Sequence, residues 1–292
     1  MQKTLLTCAT LMIISIDIYA NNLQDAFEHA QYEGLVRLGY QNHHVNQTTK
    51  DESAIAITLH METASYYGLQ VGTTLITSQG NDKSDFEGVP FFDENNNNYT
   101  TLTESYLKGT YGDTTFTLGR QTLDTPFADS DDIGMVPNTF EAYTLVNTSI
   151  KDTSIFFSHV QKWSGVDSDA PSSFSKINAS KGMQILGLSY EGLNKVNLSA
   201  WFYNLSDEVQ ITYLEANYQD ETEQLSYAAS IQYAFQDYDN ADSSTVCGTA
   251  LSLGVKHIGL TSTVSYNTSR GIAADNFFGG WSIFYQCRTL YT

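Results

Sequence analysis

"QLSYAASIQYAFQ", residues Gln224–Gln236, alternates without a break. Leu225, Tyr227, Ala229, Ile231, Tyr233 and Phe235 share one face; Ser226, Ala228, Ser230, Gln232, Ala234 and Gln236 share the other. A period of two places successive side chains on opposite sides of an extended chain, so this stretch reads as a β-strand with one apolar and one polar face. The same split recurs upstream. Ile55, Ile57, Leu59 and Met61 oppose Ala54, Ala56, Thr58, His60 and Glu62, and Val36, Leu38 and Tyr40 face away from Arg37, Gly39 and Gln41. "VNLSAWFYN" and "ALSLGVKH" follow the rule, with Trp201 and Lys256 on the more polar faces. Two-faced runs of about ten residues have the length of a strand that crosses a bilayer.

Composition agrees with strands. There are 19 Tyr and 15 Phe against only 4 Pro in 292 residues, a mixture that favours sheet over helix. Lys and Arg number 14 and Asp and Glu 33, giving a formal charge of −19. A surface for nucleic acid needs clustered cations facing phosphate, and that class is excluded.

The first twenty residues differ from the rest. "MQK" is a basic start, "LLTCATLMII" is apolar, and "DIYA" puts a small residue, Ala20, at a cleavage point. This is the form of a secretory signal peptide over residues 1–20, so the mature protein is expected to begin near Asn21. Cys8 has too little apolar sequence before it for a lipoprotein signal. Only Cys247 and Cys287 then remain, at most one disulfide, and stability must come from a large hydrogen-bonded sheet. No later run reaches the roughly 18 apolar residues of a spanning helix. If a membrane is crossed, strands cross it.

Connections alternate in length. Short turns are expected at 63–66, 111–114, 150–153, 192–195 and 256–259, and long polar segments at 79–99, 122–138, 163–180, 236–244 and 267–280. All four prolines (Pro90, Pro126, Pro137 and Pro171) fall in the long segments, where no ladder donor is lost. "FFDENNNNYTT", residues 91–101, reads as a solvated loop tip. The alternation leaves open whether the apolar faces meet lipid or a dry core, as in an exported β-sandwich or solenoid. Turn asymmetry favours lipid, as does an aromatic girdle built from Tyr66, Tyr67, Tyr111, Tyr203, Tyr213 and Tyr218 near strand ends.

One long loop is distinctive: "LGRQTLDTPFADSDDIGMVPNTFEAY", Leu118–Tyr143. It resembles the OprD-like family of bacterial outer-membrane porins, whose members carry Gly-Arg-Gln at a strand end, then Thr-Pro, an acidic patch and Met-(Leu/Val)-Pro-Asn-Thr-Phe. "AIAITLHMETASYYGLQVGTTLITS" and "NNLQDAFEHAQYEGLVRLGYQ" are similar to the family as well, and the likeness extends to about Phe278. The resemblance implies an all-β fold, a transmembrane antiparallel β-barrel of eighteen strands whose third extracellular loop folds inward. Here that loop is Thr122–Thr139, and the constriction residues are Asp124, Thr125, Pro126, Asp129, Asp131, Asp132, Pro137 and Asn138. Two prolines restrict the backbone near its ends, and Asp and Ser side chains can bond local amides.

Family members often carry Arg before the Met-Leu-Pro element, where Gly134 stands here, and some line the pore with an arginine ladder that guides carboxylates. The pore-lining candidates are Arg37, Glu62, Arg120 and Lys256. Strict alternation puts Arg120 on the face of Phe116 and Leu118, so a bulge or strand end is needed to turn it inward. Few cations and an acidic loop point to weak cation preference.

About thirteen strands are legible, an odd number where bacterial single-chain barrels are usually even. "WSIFYQCRTLYT", residues 281–292, has a foreign composition. A back-translation read in a neighbouring frame can give Gly-Pro-Phe-Phe-Thr-Asn-Ala-Glu-His-Tyr-Thr, which resembles the family's continuation. The expectation is a barrel domain over 21–280, incomplete through truncation or a frameshift, followed by a non-native tail.

The function expected is passive diffusion of small hydrophilic solutes or ions through a loop-constricted pore, without catalysis, metal or cofactor. The expected surroundings are outer-membrane lipid and lipopolysaccharide, with a homo-oligomer left open. Two other classes compete: an adhesin or structural barrel, whose long loops bind partners, and a barrel lipid hydrolase. The hydrolase needs a serine nucleophile with an oriented His, and no Gly-x-Ser-x-Gly element is present. His43–His44 lacks the spaced partners of a metal site.

Overall fold

The computed structural model describes residues 20–45, 48–81, 90–272 and 274–279. The expected leader, Ala20 excepted, lies outside them, as do Cys8, Cys287 and the tail 281–292.

Thirteen strands follow one another in a single antiparallel path. They are β1 (Gln31–Val45), β2 (Thr48–Glu62), β3 (Leu69–Asn81), β4 (Tyr99–Tyr111), β5 (Thr114–Gln121), β6 (Thr139–Asn147) and β7 (Thr153–Ser164). The path continues through β8 (Met183–Leu193), β9 (Val196–Leu205), β10 (Val209–Glu221), β11 (Leu225–Tyr238), β12 (Ser244–Val255) and β13 (Leu260–Gly271). Each strand pairs with its neighbour in sequence, and β1 and β13 are the two ends of the path among the described residues. A short helix, α1 (Leu23–Glu28), precedes β1; the Asn22 side chain caps it, and Ala64 N–H bonds Ala26 O at 3.0 Å to hold it against the β2–β3 turn.

Burial decides the question that periodicity left open. Ile231, Leu251 and Val264 are 62%, 65% and 71% exposed, while Gln236 is 1% exposed. A soluble sandwich has the reverse arrangement, with the apolar row inside. The sheet is inside-out: a continuous apolar row faces away from an interior that also takes in polar side chains such as Gln232 and Gln236, the arrangement of a transmembrane barrel wall. Cys247 lies exposed on β12. Ile231→Lys, halfway along β11, is expected to lower unfolding stability in lipid by at least about 2 kcal/mol, whereas Ser230→Lys on the inner face changes it little. Denaturant titration of both variants in vesicles checks this, and equal costs would sink the assignment of faces.

The turns match the expected pattern on one side. Gly112–Asp113, 194–195 and 256–259 are short, and an unexpected short turn at 222–224 joins them. On the other side, 90–98, 122–138 and 165–182 lie in long connections, but 206–208 and 239–243, the latter inside the expected long segment 236–244, do not. A hairpin closes with two residues, so an extracellular connection has no need of length where nothing folds inward. Two of the tyrosines assigned to a girdle also differ. Tyr67 and Tyr111 are exposed, but Tyr203 and Tyr213 are buried in the interior.

Candidate functional site

Residues 122–138 do not stand out from the rim; they cross the interior and are fixed to both walls. The crossing starts with a tight hairpin in which Asp124 pairs with Asp129 and Thr125 with Ala128, leaving Pro126 and Phe127 as the turn. Proline's fixed φ suits the first turn position. Thr125 Oγ1 donates to Ala128 O at 2.9 Å, and Ser130 Oγ to Asp124 Oδ1 at 2.7 Å. The turn presents Phe127 to the wall of β9 and β10, where its ring meets Tyr203 and Tyr213 edge-on at 5.5 and 6.0 Å. Tyr203 OH accepts from Phe127 N at 3.3 Å. Ile185, Ile211, Val246 and Phe140 complete this apolar cluster inside the sheet.

The other end of the loop reaches the wall of β1–β3. Met135 and Val136 pack with Phe91, Phe92, Ala54, Ala56 and Ile76. Gly39 makes room for them: a Cβ there would lie 2.2 Å from Met135 Cε and 2.7 Å from Phe91 Cζ. Beside this cluster Arg37 grips the loop. Its Nη1 and Nη2 donate to Asp132 Oδ1 and Oδ2, both at 2.8 Å, and Nη1 also donates to Gly134 O. Bidentate guanidinium–carboxylate pairing fixes direction as well as distance. Gly134 therefore supplies a carbonyl that accepts from an arginine on β1.

A third segment enters from beyond β13. Asp129 N donates to Phe278 O at 3.0 Å, Ala128 bridges Phe278 in parallel, and Phe277 meets Phe127 edge-on and stacks with Tyr238. Asn138, fully buried, ties the loop to the segment after β7: Nδ2 donates to Asp129 O at 3.1 Å and to Asp167 Oδ2 at 2.7 Å, and Oδ1 accepts from Asp167 N at 3.1 Å.

Between the loop and β1–β4 lies a polar recess of about 290 Å³. Glu33, Arg37, His60, Glu104, Thr122 and Asp132 are among the residues that line it. Glu104 is braced by Thr122 N–H at 3.2 Å and by the Thr74 hydroxyl, while His60 Nδ1 sits 2.7 Å from Thr74 Oγ1 and 3.6 Å from Glu104. Three carboxylates face one guanidinium and one imidazole, so the recess has an acidic balance. Within the loop, Asp131 is raised to about 6, first by burial and then by the charges of Asp167, Asp129 and Asp132.

The sequence candidates separate into groups. Asp124, Thr125, Pro126, Asp129, Asp131, Asp132, Pro137 and Asn138 all belong to the crossing loop, and Arg37 is its anchor. Glu62 lies on the interior side at the short-turn end, neutralised by Lys108 Nζ at 2.7 Å and bonded to Tyr106 OH at 2.7 Å. Arg120 and Lys256 are not at the recess. The β4–β5 and β5–β6 registers run unbroken past Arg120, so it keeps the outward parity of Leu118, stacks on Phe174 at 4.2 Å and sits 3.8 Å from Glu141. Lys256 follows the end of β12 in a single helical turn closed by Gly259, and pairs with Glu221 at 2.7 Å.

Glu104 was not among the candidates, because strict alternation from Thr103 turns it outward. A bulge reverses that: Thr74 pairs with Glu104 and Leu75 with Leu102, leaving Thr103 extra. A signal was present, since Leu102 and Leu107 both face outward although they are five positions apart, an odd step that strict alternation forbids for one face. No signal marked residues 274–279 as part of the interior.

Comparison with known proteins fits this architecture. The family model described as outer membrane porin, OprD family, matches residues 27–271. Acinetobacter baumannii OccAB1 superposes with a TM-score of 0.73 at 15% identity, over 89% of this chain and 71% of that one. A BenF-like porin from Pseudomonas fluorescens Pf-5 gives 0.72 at 15% identity, over 89% and 74%. Pseudomonas aeruginosa OpdK, solved with vanillate, gives 0.70 at 17% identity, over 83% and 67%. No curated protein matches by sequence.

Proposed function

Because this chain belongs to the OprD family of outer membrane porins, channels for small solutes in Gram-negative bacteria, we propose that residues 122–139 set its pore and give it a weak preference for cations. The observation that carries the reading is the acidic recess beside a loop fixed to both walls. Small hydrophilic solutes pass by diffusion, without catalysis or cofactor. OpdK was solved with vanillate, an aromatic carboxylate. Here Glu33, Glu104 and Asp132 outnumber Arg37 and His60, which disfavours carboxylates and favours solutes bearing an ammonium or guanidinium group. Residues 1–20 are removed on export in this reading, and the outer surface meets lipid and lipopolysaccharide.

Reversal potentials across planar bilayers in a salt gradient test the preference. Cations are expected to carry more current than anions, and Glu104→Gln is expected to move the permeability ratio toward unity. The change should be larger near 0.1 M salt than near 1 M, because the screening length falls from about 10 to about 3 Å. Anion selectivity of the unmodified protein would refute the assignment. Swelling of solute-loaded liposomes distinguishes a pore from an adhesin.

A further inference from the structure

Arg120, Glu141, Lys162 and Lys176 stand in one row across the outer face at the long-loop end. Arg120 of β5 is in register with Glu141 of β6, Glu141 with Lys162 of β7, and Lys162 with Lys176 in the connection after β7. Trp163, next to Lys162, packs against the interior cluster, which turns Lys162 outward. Lys162 Nζ donates to Glu141 Oε1 at 2.8 Å, and Arg120 Nε lies 3.8 Å from Glu141 Oε2. The Arg120 guanidinium also covers the Phe174 ring at 4.2 Å, a contact that orients it. Lys176 is exposed, and none of the ion pairs among the described residues includes it. Three cations thus share one carboxylate, in a chain with 14 Lys and Arg against 33 Asp and Glu. Lys162 and Lys176 are directly opposite each other, an arrangement that repels unless an anion lies between them.

The neighbouring rows fix the depth. One row toward the short turns, Leu118, Tyr143 and His159 are in register, with the Tyr143 and His159 rings stacked at 6.4 Å. The row after that is Phe116, Leu145 and Phe157. Tyr143, Leu145 and Phe157 are all exposed on the outer face. An aromatic row beside an apolar one marks where hydrocarbon gives way to headgroups. The charged row lies one row farther out, at headgroup level.

We propose that this row is a binding site for the phosphate groups of lipopolysaccharide. The proposal rests on the reading that the outer surface meets that lipid, and it names the residues that hold it. A phosphate seated between Lys162 and Lys176 accepts from both ammonium groups and removes their mutual repulsion. Arg120, oriented by Phe174, offers its remaining N–H groups to the same headgroup. Glu141 holds Lys162 and Arg120 in the row, and its single charge leaves the row positive. Position favours a lipid over a free ion. With its phosphate on the cations, the acyl chains of one molecule lie along Tyr143, Leu145 and Phe157, and a free phosphate gains nothing from that apolar surface.

Binding of purified lipid A, the phosphorylated anchor of lipopolysaccharide, to the full chain in detergent tests this. Native mass spectrometry compares it with lipid A stripped of its phosphates. The phosphorylated form is expected to bind about tenfold more tightly, because only it makes charge-assisted hydrogen bonds to the row. Lys162→Gln and Lys176→Gln should each reduce that preference several-fold, whereas Lys176→Arg keeps it. Lys176→Gln breaks no ion pair, so it decides the matter if Lys162→Gln does not assemble. Equal affinity for the two lipids, or an unaltered preference in Lys176→Gln, would overturn the site. Displacement of the lipid by an equal concentration of inorganic phosphate would assign the row to the free ion and overturn it as well. In each of these cases neutral sugars would still enter liposomes holding the unmodified protein, and the pore would stand. Absence of sugar entry would instead overturn the membrane reading on which the site rests.

Discussion

Phe127→Ala is expected to release the tip of the crossing loop and to raise the size limit for neutral solutes. Phe127 is 2% exposed, and its ring is surrounded by Tyr203, Tyr213 and Phe277. Truncating a buried phenylalanine costs about 3–5 kcal/mol through lost burial and the cavity left behind. That exceeds what one neutral hydrogen bond, Phe127 N–H to Tyr203 OH, restores at about 1 kcal/mol. The wall strands keep their ladders, so the barrel should survive while the tip detaches. Single-channel conductance and the liposome size limit should both rise. Unchanged values would show that Arg37 and Met135 alone hold the loop in place.

Gly165→Ala should act where Asn138 ties the loop to the segment after β7. Its φ of 138° disfavours any L side chain, a strain of about 1–3 kcal/mol. The added Cβ would also overlap backbone atoms of Pro137 and Asn138, which cannot swing aside as a flexible side-chain end can. Relief requires the loop and the segment after β7 to separate, breaking both Asn138–Asp167 bonds. A lowered melting temperature in detergent and faster passage of larger neutral sugars are the expected results. A variant with unaltered melting and permeability would contradict the packing described at Asn138.

Much of the wall was legible because two-faced strands repeat every second residue. The path of thirteen strands and most short turns follow from that period and from where turn residues interrupt it. The crossing loop was legible through its resemblance to a family, with its prolines and acids consistent with a fixed backbone. The partners of that loop were not. Arg37 and Asp132 are 95 positions apart, and Phe127 and Tyr203 are 76 apart. No local pattern links residues at such separations. Arg120 and Glu104 show the limit of parity: the first keeps it and faces outward, while the second loses it at a bulge and faces in.

By itself, the sequence determined that the chain makes two-faced strands, that its charge is acidic, and that one long loop is unlike the others. These are local properties, set by side-chain period, composition and turn chemistry. Only the tertiary structure decided which face meets the outside and what the loop touches. Alternation says that two faces differ, but either could lie inside. The inward apolar clusters around Phe127 and Met135 then hold the loop across the interior, because burying those groups there removes them from water without interrupting the wall's hydrogen bonds.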